Sequence, residues 1–379
     1  MADGGRNVVV DFWRGFALVS IFVNHVPGNL LEPYTHKNYG LSDASELFVL
    51  LAGVAVSLAY GRPGAPAFGL AGMIRIGARI RTLYMAHITM LVIAASIVSV
   101  AVMTTEDVRI LEATQFDLVM ASPLTAVIGI ATLGLQPAYF NILPLYIVLL
   151  MLAPLLLMLA ASDRRIALAA SAFLYALTQA FELRPPSYPG DDQWFFNPFA
   201  WQLLFTTGLC LGRPVTISPA LHRVLLPAAL AVLAMGALIA QLGLYGTFDL
   251  SPLPRTLWDM DKTNLSLPRL LHVLALVYCV SRLPVGRWLA GASWTGAVTA
   301  MGRHSLPVFC VGSVLSLAIT LARPSLQAGW AGDLALIGAG LVLQGTLALV
   351  LEWNRRGQTA ARAAVCPRLF HSSTSASVP

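Results

Sequence analysis

Charged side chains are scarce in this sequence. Asp, Glu, Lys and Arg make up only 11% of its 379 residues, whereas 57% of the residues are hydrophobic. A soluble protein of this length does not need so much apolar sequence, so we expect an integral membrane protein. Lys and Arg outnumber Asp and Glu by 24 to 18. No basic stretch alternates with aromatic residues as in nucleic-acid-binding surfaces, so we expect no nucleic-acid partner.

Cysteine is rare, and the motifs of several soluble catalysts are missing. Of the 4 cysteines, Cys210, Cys279 and Cys310 lie in apolar runs and Cys366 lies in a basic C-terminal segment. Their spacing is not that of a metal site, so we expect buried thiols and predict no metal cofactor. A GxSxG elbow, a Walker loop and an HExxH zinc motif are also absent from the sequence.

The sequence contains instead a series of long apolar runs. About ten of them approach the length of about 20 residues that crosses a bilayer as a helix. Their approximate limits are 8–31, 43–61, 82–104, 139–161, 166–182, 196–212, 223–244, 267–283, 298–321 and 333–353. The predicted fold is an all-α integral membrane protein with about ten transmembrane helices. Residues 118–135 are moderately apolar and leave open an additional re-entrant or surface helix.

The distribution of arginine predicts the topology. An even number of spans puts both termini on one side of the membrane, and most arginines lie in segments on that side. Cytoplasmic segments are rich in Lys and Arg, so both termini are expected in the cytoplasm. The predicted organisation is a cytoplasmic N-terminus over 1–7, a transmembrane domain over 8–353 and a basic cytoplasmic tail over 354–379. The end of that tail is expected to be disordered.

Ionisable groups interrupt the first apolar run, VVVDFWRGFALVSIFVNHVPGNLL. Arg14 and His25 are close to three helical turns apart, so they point the same way, separated by about 16 Å along the axis. Ionisable groups inside membrane helices usually face a bundle interior or a polar cavity. An imidazole moves protons to or from hydroxyls near neutral pH, so we interpret His25 as a catalytic base. The alternative is a packing histidine bonded to a backbone carbonyl.

Two acids open the second apolar run, which begins LSDASELF. Asp43 and Glu46 have the three-residue spacing of a capping box, in which Glu46 bonds back to the start of the helix. In a second interpretation one carboxylate is hydrogen-bonded to His25 and fixes its tautomer, as in a catalytic triad. Both interpretations can hold together, because two acids exceed what one cap requires.

Three arginines cluster where the third apolar run begins. Ordinary anchoring at the cytoplasmic surface would account for two of Arg75, Arg79 and Arg81. Guanidinium groups also bind phosphate well. Together with Arg14, the cluster is therefore predicted to form an inner pocket for a polyphosphate donor.

Polar residues also mark the eighth and ninth apolar runs. Lys262, Arg269 and His272 lie near the outer membrane face, and the last two share one helix face because they are three residues apart. Arg303 and His304 are adjacent, so we expect them to point in different directions on a helix. Their spacing leaves open which of the two lines a cavity.

Several stretches together carry a resemblance to a known family. They are DFWRGFALVSIFVNHVPGN, SDASELFVLLAG, RTLYMAHI, NILPLYIVLLMLAP, FNPFAWQLLFTTGLCLG, NLSLPRLLHVLAL and MGRHSLPVFCVG. In these stretches the chain resembles the OpgC family, membrane proteins that succinylate osmoregulated periplasmic glucans. That family is more distantly similar to the acyltransferase-3 membrane acyltransferases. The resemblance implies an acyltransferase-3-like bundle, multi-pass in the bacterial inner membrane.

The resemblance also implies roles for individual residues. His25 would be the catalytic group, and Arg75 and Arg79 would bind an acyl-CoA donor, with succinyl-CoA favoured as co-substrate. The implied acceptor is a hydroxyl of a periplasmic glucan. Candidates for contacting the acceptor or the developing oxyanion are polar residues near the predicted cavity: Asn24, Lys262, Arg269, His272 and His304.

The predicted function is transfer of an acyl group from cytoplasmic acyl-CoA to a periplasmic glucan, with His25 as general base. One alternative is an O-acetyltransferase acting on another polysaccharide. Another is a transporter or flippase of an acylated glycan or lipid, in which His25 and Arg14 form a proton relay and an anion site. A scaffold protein is disfavoured, since it gives no reason for ionisable groups in apolar surroundings.

Overall fold

The protein is built from α-helices. The computed structural model describes residues 7–61, 69–190, 193–247, 249–291, 294–326 and 329–365, and these ranges contain no β-strand. The helices are α1 (Val8–Asn24), α2 (Ala44–Tyr60), α3 (Leu70–Thr105), α4 (Arg109–Ala113), α5 (Asp117–Ala121), α6 (Pro123–Ala131), α7 (Ile142–Ser162), α8 (Arg164–Phe181), α9 (Pro198–Leu211), α10 (Pro219–Gln241), α11 (Leu267–Ser281), α12 (Val285–Gly291), α13 (Thr295–Arg303), α14 (Ser305–Leu326) and α15 (Trp330–Val365). Short 3₁₀ helices occupy Glu32–Tyr34, His36–Tyr39 and Arg255–Leu257.

Five of the described helices are long and apolar enough to cross a membrane. They are α3, α7, α10, α14 and the part of α15 from Trp330 to Gln358. The predicted all-α membrane fold is confirmed at this level. Helices cover all ten predicted segments, but α2, α9 and α11 are shorter apolar helices of 10–17 residues. The number of spans and the side of the termini stay predictions.

The predicted end of the first segment at residue 31 is wrong. α1 ends at Asn24. The chain then reaches Pro27, which has no backbone N–H to continue a helix, and Gly28, whose φ of +70° favours glycine. The side chain of Asn29 folds back and donates from Nδ2 to the Val23 carbonyl at 2.8 Å, which satisfies an otherwise unpaired group at the helix end.

The third and last predicted segments are too short. α3 begins at Leu70 rather than residue 82 and has 36 residues. At about 1.5 Å per residue it is about 54 Å long, far more than the roughly 30 Å hydrocarbon core of a bilayer. The arginine cluster therefore lies on the helix itself. α15 likewise continues beyond residue 353 to Val365, so the first part of the predicted tail is helical.

Two further segments are each divided between two helices. Residues 118–135 contribute to α5 and α6, of 5 and 9 residues, which are too short to cross a bilayer. The ninth predicted segment is not one helix, because the backbone of His304 leaves the helical conformation (φ −106°, ψ 41°) between α13 and α14. The ends of the predicted terminal segments, residues 1–6 and 366–379, lie outside the described residues.

Close packing of α1 against α13 fixes the helix that carries Arg14 and His25. A Cβ at Gly302 of α13 would lie 1.7 Å from the carbonyl oxygen of Asp11, and a Cβ at Gly15 would lie 1.9 Å from that of Val298. Only glycine allows backbones to approach this closely. α14 packs along α1 and α3, and α15 packs against α13 and α14. These helices enclose the candidate site.

Candidate active site

One face of α1 lines two cavities. Leu18 and Ile21 lie between Arg14 and His25 at three- and four-residue intervals, so all four side chains share this face. The residues lining the Arg14 cavity border about 240 Å³ of space, part of it open to solvent. The residues lining the His25 cavity border about 170 Å³ of space, part of it likewise open to solvent. Phe309 of α14 lines both cavities, so they are neighbours along α1 and α14.

The Arg14 cavity brings together two of the predicted donor-binding arginines. Arg14 enters from α1 and donates from Nη2 to Ser305 Oγ at 2.5 Å. Arg79 enters the same cavity from α3, and Tyr146 of α7 contributes a phenol ring. Arg14 and Arg79 thus line one cavity, and their role in binding a donor stays a prediction.

The other two arginines of the cluster lie elsewhere on α3. Arg75 is exposed, and its guanidinium carbon lies 5.6 Å from the centroid of the Tyr60 ring. Arg81 is exposed as well, and two residues of helix turn it by about 200° from Arg79. Of the three arginines in the predicted cluster, only Arg79 lines the Arg14 cavity.

His25 caps the C-terminal end of α1 and borders the His25 cavity. Its backbone N–H donates to the Ile21 carbonyl at 2.9 Å. Its ring stacks on Tyr139 with the centroids 4.6 Å apart and an interplanar angle of 13°. Nδ1 is buried and has no hydrogen-bond partner among the described residues. The interpretation that a backbone carbonyl holds this ring in place is therefore wrong for Nδ1.

Asp43 and Glu46 form the predicted capping box. The Asp43 side chain accepts from the backbone N–H of Ser45 at 2.8 Å, and Glu46 Oε2 accepts from the backbone N–H of Asp43 at 2.9 Å. The same carboxylates are ion-paired to two distant cations. Lys262 Nζ bonds Asp43 Oδ2, and Arg269 donates from Nε and Nη2 to Glu46 Oε1 at 2.7 and 2.5 Å.

The two carboxylates and the two cations pair with one another rather than with the imidazole of His25. Among the described residues, the His25 ring makes no hydrogen bond to Asp43 or Glu46, so the triad-like arrangement expected from the sequence is not formed. Asp43 and Lys262 are nevertheless close enough to His25 to act on its charge through space. The two acids and two cations therefore make a nearly neutral polar wall at the start of α2.

Asn24 and His272, which were also expected from the sequence as contacts for an acceptor or oxyanion, form hydrogen bonds away from the His25 cavity. Asn24 Oδ1 accepts from Thr35 Oγ1 at 2.7 Å. His272 is buried and its Nδ1 lies 2.8 Å from Ser42 Oγ. Neither residue borders the His25 cavity. Their contacts tie the segment between α1 and α2 to its surroundings.

His304 belongs to an ion-pair cluster around Glu352. Its Nε2 lies 3.1 Å from Glu352 Oε2, and Arg303 Nη1 donates to Glu352 Oε1 at 2.7 Å. The expectation that these adjacent residues point in different directions is wrong, because the helix is interrupted at His304. Arg303 also reaches Asp11 of α1 at 3.5 Å. The cluster fixes the junction of α1, α13 and α15.

Sequence reasoning missed most of the residues that line the cavities, among them Phe309, Ser313 and Gln344. All three are uncharged, so an inspection of ionisable groups does not reveal them. One signal was present for Gln344, which is an amide in the apolar run LIGAGLVLQGTLALVL. Polar side chains in membrane helices are usually retained for interhelical contacts or function.

Among the described residues, no group of three or more His, Cys, Asp or Glu is arranged to hold a metal ion. Cys210, Cys279 and Cys310 are thiols without a disulfide partner; Cys210 is buried as expected, whereas Cys279 and Cys310 are only partly buried. Cys366 lies outside the described residues. The chemistry available at the two cavities is therefore that of guanidinium, imidazole, hydroxyl and amide groups.

A comparison with family models gives one match over nearly the whole chain. The family is described as OpgC protein, and its model matches residues 6–356. No curated protein and no solved structure shows significant similarity to the chain. Both cavities lie within the matched region.

Proposed function

The chain belongs to the OpgC family, and from this premise we propose that it is a glucan-modifying membrane O-acyltransferase. It transfers an acyl group from cytoplasmic acyl-CoA to a hydroxyl of a periplasmic glucan. The observation that carries the proposal is the pair of neighbouring cavities on one face of α1, with cations at one and an imidazole at the other. A donor with an anionic end and a reactive end about 16 Å away fits this arrangement.

In this proposal the Arg14 cavity receives the phosphate end of the donor. Arg14 and Arg79 approach it from different helices, and guanidinium groups bind phosphate oxygens through paired N–H donors. The cavity is smaller than a whole CoA, so in this proposal the two arginines contact a phosphate and the rest of the donor lies outside the cavity. Arg75, one helical turn before Arg79, extends the positive surface toward the bulk of the nucleotide.

His25 is the general base of the proposed reaction. Its imidazole takes the proton of the acceptor hydroxyl, whose oxygen attacks the thioester carbonyl carbon. The tetrahedral intermediate collapses by breaking the C–S bond. The thiolate leaves with the proton held by His25, so the products are an ester and CoA thiol. The unpartnered Nδ1 of His25 supports this role, because no side chain already holds its proton or lone pair.

The polar wall of Asp43, Glu46, Lys262 and Arg269 belongs to the acceptor side in this proposal. Hydroxyl-rich glycans bind through many hydrogen bonds, which such a wall can supply. Lys262 is the more accessible cation of the wall, with 28% of its side chain exposed compared with 11% for Arg269. The proposal also retains about ten spans, both termini in the cytoplasm and a location in the bacterial inner membrane.

The test is acyl transfer in proteoliposomes with radiolabelled succinyl-CoA or acetyl-CoA and a periplasmic glucan extract. His25→Ala should lower the rate at least about 100-fold, because general-base catalysis contributes about 10²–10⁴. His222→Ala is the matched control, since this histidine bonds Tyr278 OH at 2.6 Å and lies on α10. It should retain transfer.

Each outcome of this test has a defined meaning. Label in the glucan with wild type and not with His25→Ala supports the transferase and names its donor. Transfer of acetyl but not succinyl corrects the acyl group. Wild type that neither binds nor consumes either CoA ester refutes the transferase and favours a transporter or flippase.

A further inference from the structure

The His25 cavity contains two polar side chains that the proposed reaction has not yet used. Ser313 enters it from α14 and Gln344 enters it from α15. Ser305, Phe309 and Ser313 follow one another at four-residue intervals, so they form a continuous strip along α14. This strip runs beside the face of α1 that carries Arg14 and His25.

Ser313 has a buried hydroxyl with no partner. Only 5% of the residue is exposed, and Oγ makes no hydrogen bond within the described residues. A serine inside a helix commonly bonds back to a carbonyl one turn earlier. Ser316 does so on the same helix, donating to the Ser313 carbonyl at 2.9 Å. An unsatisfied buried hydroxyl costs free energy, so its retention beside the unpartnered Nδ1 of His25 points to a ligand.

Gln344 places an amide against the same cavity. It is 1% exposed, and its Nε2 donates to the Gly340 carbonyl at 3.2 Å, which occupies one of its two N–H hydrogens. Gly312 faces this amide. A Cβ at Gly312 would lie 2.7 Å from Gln344 Oε1, so a larger residue would push the amide away. The glycine thus allows Gln344 to lie at the cavity wall beside Ser313.

No charged side chain of the described residues lines the His25 cavity. Negative charge that develops on an oxygen there must be stabilised by neutral donors. Such donors act strongly in a site that excludes water, because they are already oriented and no solvent competes with them. Ser313 Oγ and the second Nε2 hydrogen of Gln344 are donors of this kind.

We propose that Ser313 and Gln344 bind the carbonyl oxygen of the acyl thioester and stabilise the oxyanion formed beside His25. This assignment rests on the proposed acyltransferase function and replaces the oxyanion donors expected from the sequence. When the acceptor oxygen attacks, the carbonyl π electrons move onto that oxygen and the two donors hold it. The electron pair on that oxygen re-forms the carbonyl double bond when the C–S bond breaks, and no proton leaves Ser313 or Gln344.

The test uses full-length protein in the proteoliposome assay, with kcat and the KM for acyl-CoA measured separately. Ser313→Ala and Gln344→Leu should each lower kcat about 100-fold, the typical effect of losing one oxyanion donor. The KM for acyl-CoA should change less than about twofold, because the phosphate-binding cavity is untouched. Ser316→Ala is the matched control: it removes a buried hydroxyl from the same helix, and kcat should stay within about twofold of wild type.

The variant Ser313→Thr distinguishes loss of the hydroxyl from a folding defect. It keeps a hydroxyl at the same position, so a folded variant should recover most of kcat. A folded Ser313→Thr as slow as Ser313→Ala would overturn the role of the hydroxyl. Wild-type kcat in both Ser313→Ala and Gln344→Leu, with His25→Ala inactive, would overturn this assignment alone. No transfer by wild type would overturn the proposed function and this assignment with it.

Discussion

Glu46→Gln tests whether the acids at the start of α2 stabilise the fold or orient His25. Glu46 is fully buried and accepts two hydrogen bonds from Arg269 and one from the backbone of Asp43. Glutamine has the same shape and keeps an oxygen acceptor, but it removes the negative charge. The nearest carboxylate left to Arg269 is Asp43 at 3.7 Å, which is already paired with Lys262.

The expected cost follows from this geometry. Removing one partner of a buried ion pair costs about 3–5 kcal/mol. We expect the lower end, about 3 kcal/mol, because glutamine keeps an acceptor and Asp43 remains near Arg269. At about 2 °C per kcal/mol for a chain of this length, the melting temperature in detergent should fall by about 6 °C.

The assay pairs thermal melting with transfer activity in the same preparation. Asp107→Asn is the control, because its pair with Arg109 lies on the surface and should not change the melting temperature measurably. The kcat of folded Glu46→Gln should stay within about threefold of wild type, since Glu46 does not contact His25. An unchanged melting temperature together with a loss of about 100-fold in kcat would refute this reasoning and favour the triad-like interpretation.

Two further predictions concern the donor and the pH dependence of stability. Arg79→Ala should raise the KM for acyl-CoA about tenfold, by loss of a charge-assisted contact, with kcat nearly unchanged. Arg81→Ala should leave KM as it is, and an equal rise in both variants would contradict the cavity assignment. Burial lowers the pKa of His36, whose Nε2 has no hydrogen-bond partner, below its ordinary 6.5. The unfolded chain then binds this proton before the folded chain does, so stability falls as the pH drops below about 6.5. In His36→Gln the melting temperature should therefore fall less between about pH 6.5 and pH 5 than it does in wild type. An equal fall in wild type and variant would contradict this role of His36.

Local sequence determined the helices and one face of the first helix. Apolar runs near the length of a bilayer predict helices wherever they occur, because an apolar environment requires backbone groups to bond within the segment. The phase of Arg14 and His25 follows from the regular turn of a helix, which needs no tertiary contact. The capping box at Asp43 is local as well, since its groups are three residues apart.

Helix ends were less predictable, because apolar composition does not define them. The end of α1 depends on Pro27, Gly28 and the side chain of Asn29, and the start of α3 lies among arginines that hydropathy excludes from a span. The break at His304 separates two helices, and Pro307 lies in the first turn of the second, where it has no N–H to donate to the Arg303 carbonyl. Arg303 and His304 both contact Glu352 of α15 at this junction, which the spacing of residues along the chain does not predict.

The partners of the charged groups and the walls of the cavities were decided only by the tertiary structure. Asp43 and Glu46 pair with cations 219 and 223 residues away, a distance along the chain at which no spacing rule applies. Arg79, Phe309, Ser313 and Gln344 come from α3, α14 and α15; α14 packs against α1, and α3 and α15 pack against α14. The sequence alone thus determined which residues of α1 face one way. What they face depends on how the other helices pack, because side chains separated by hundreds of residues become neighbours only in the folded bundle.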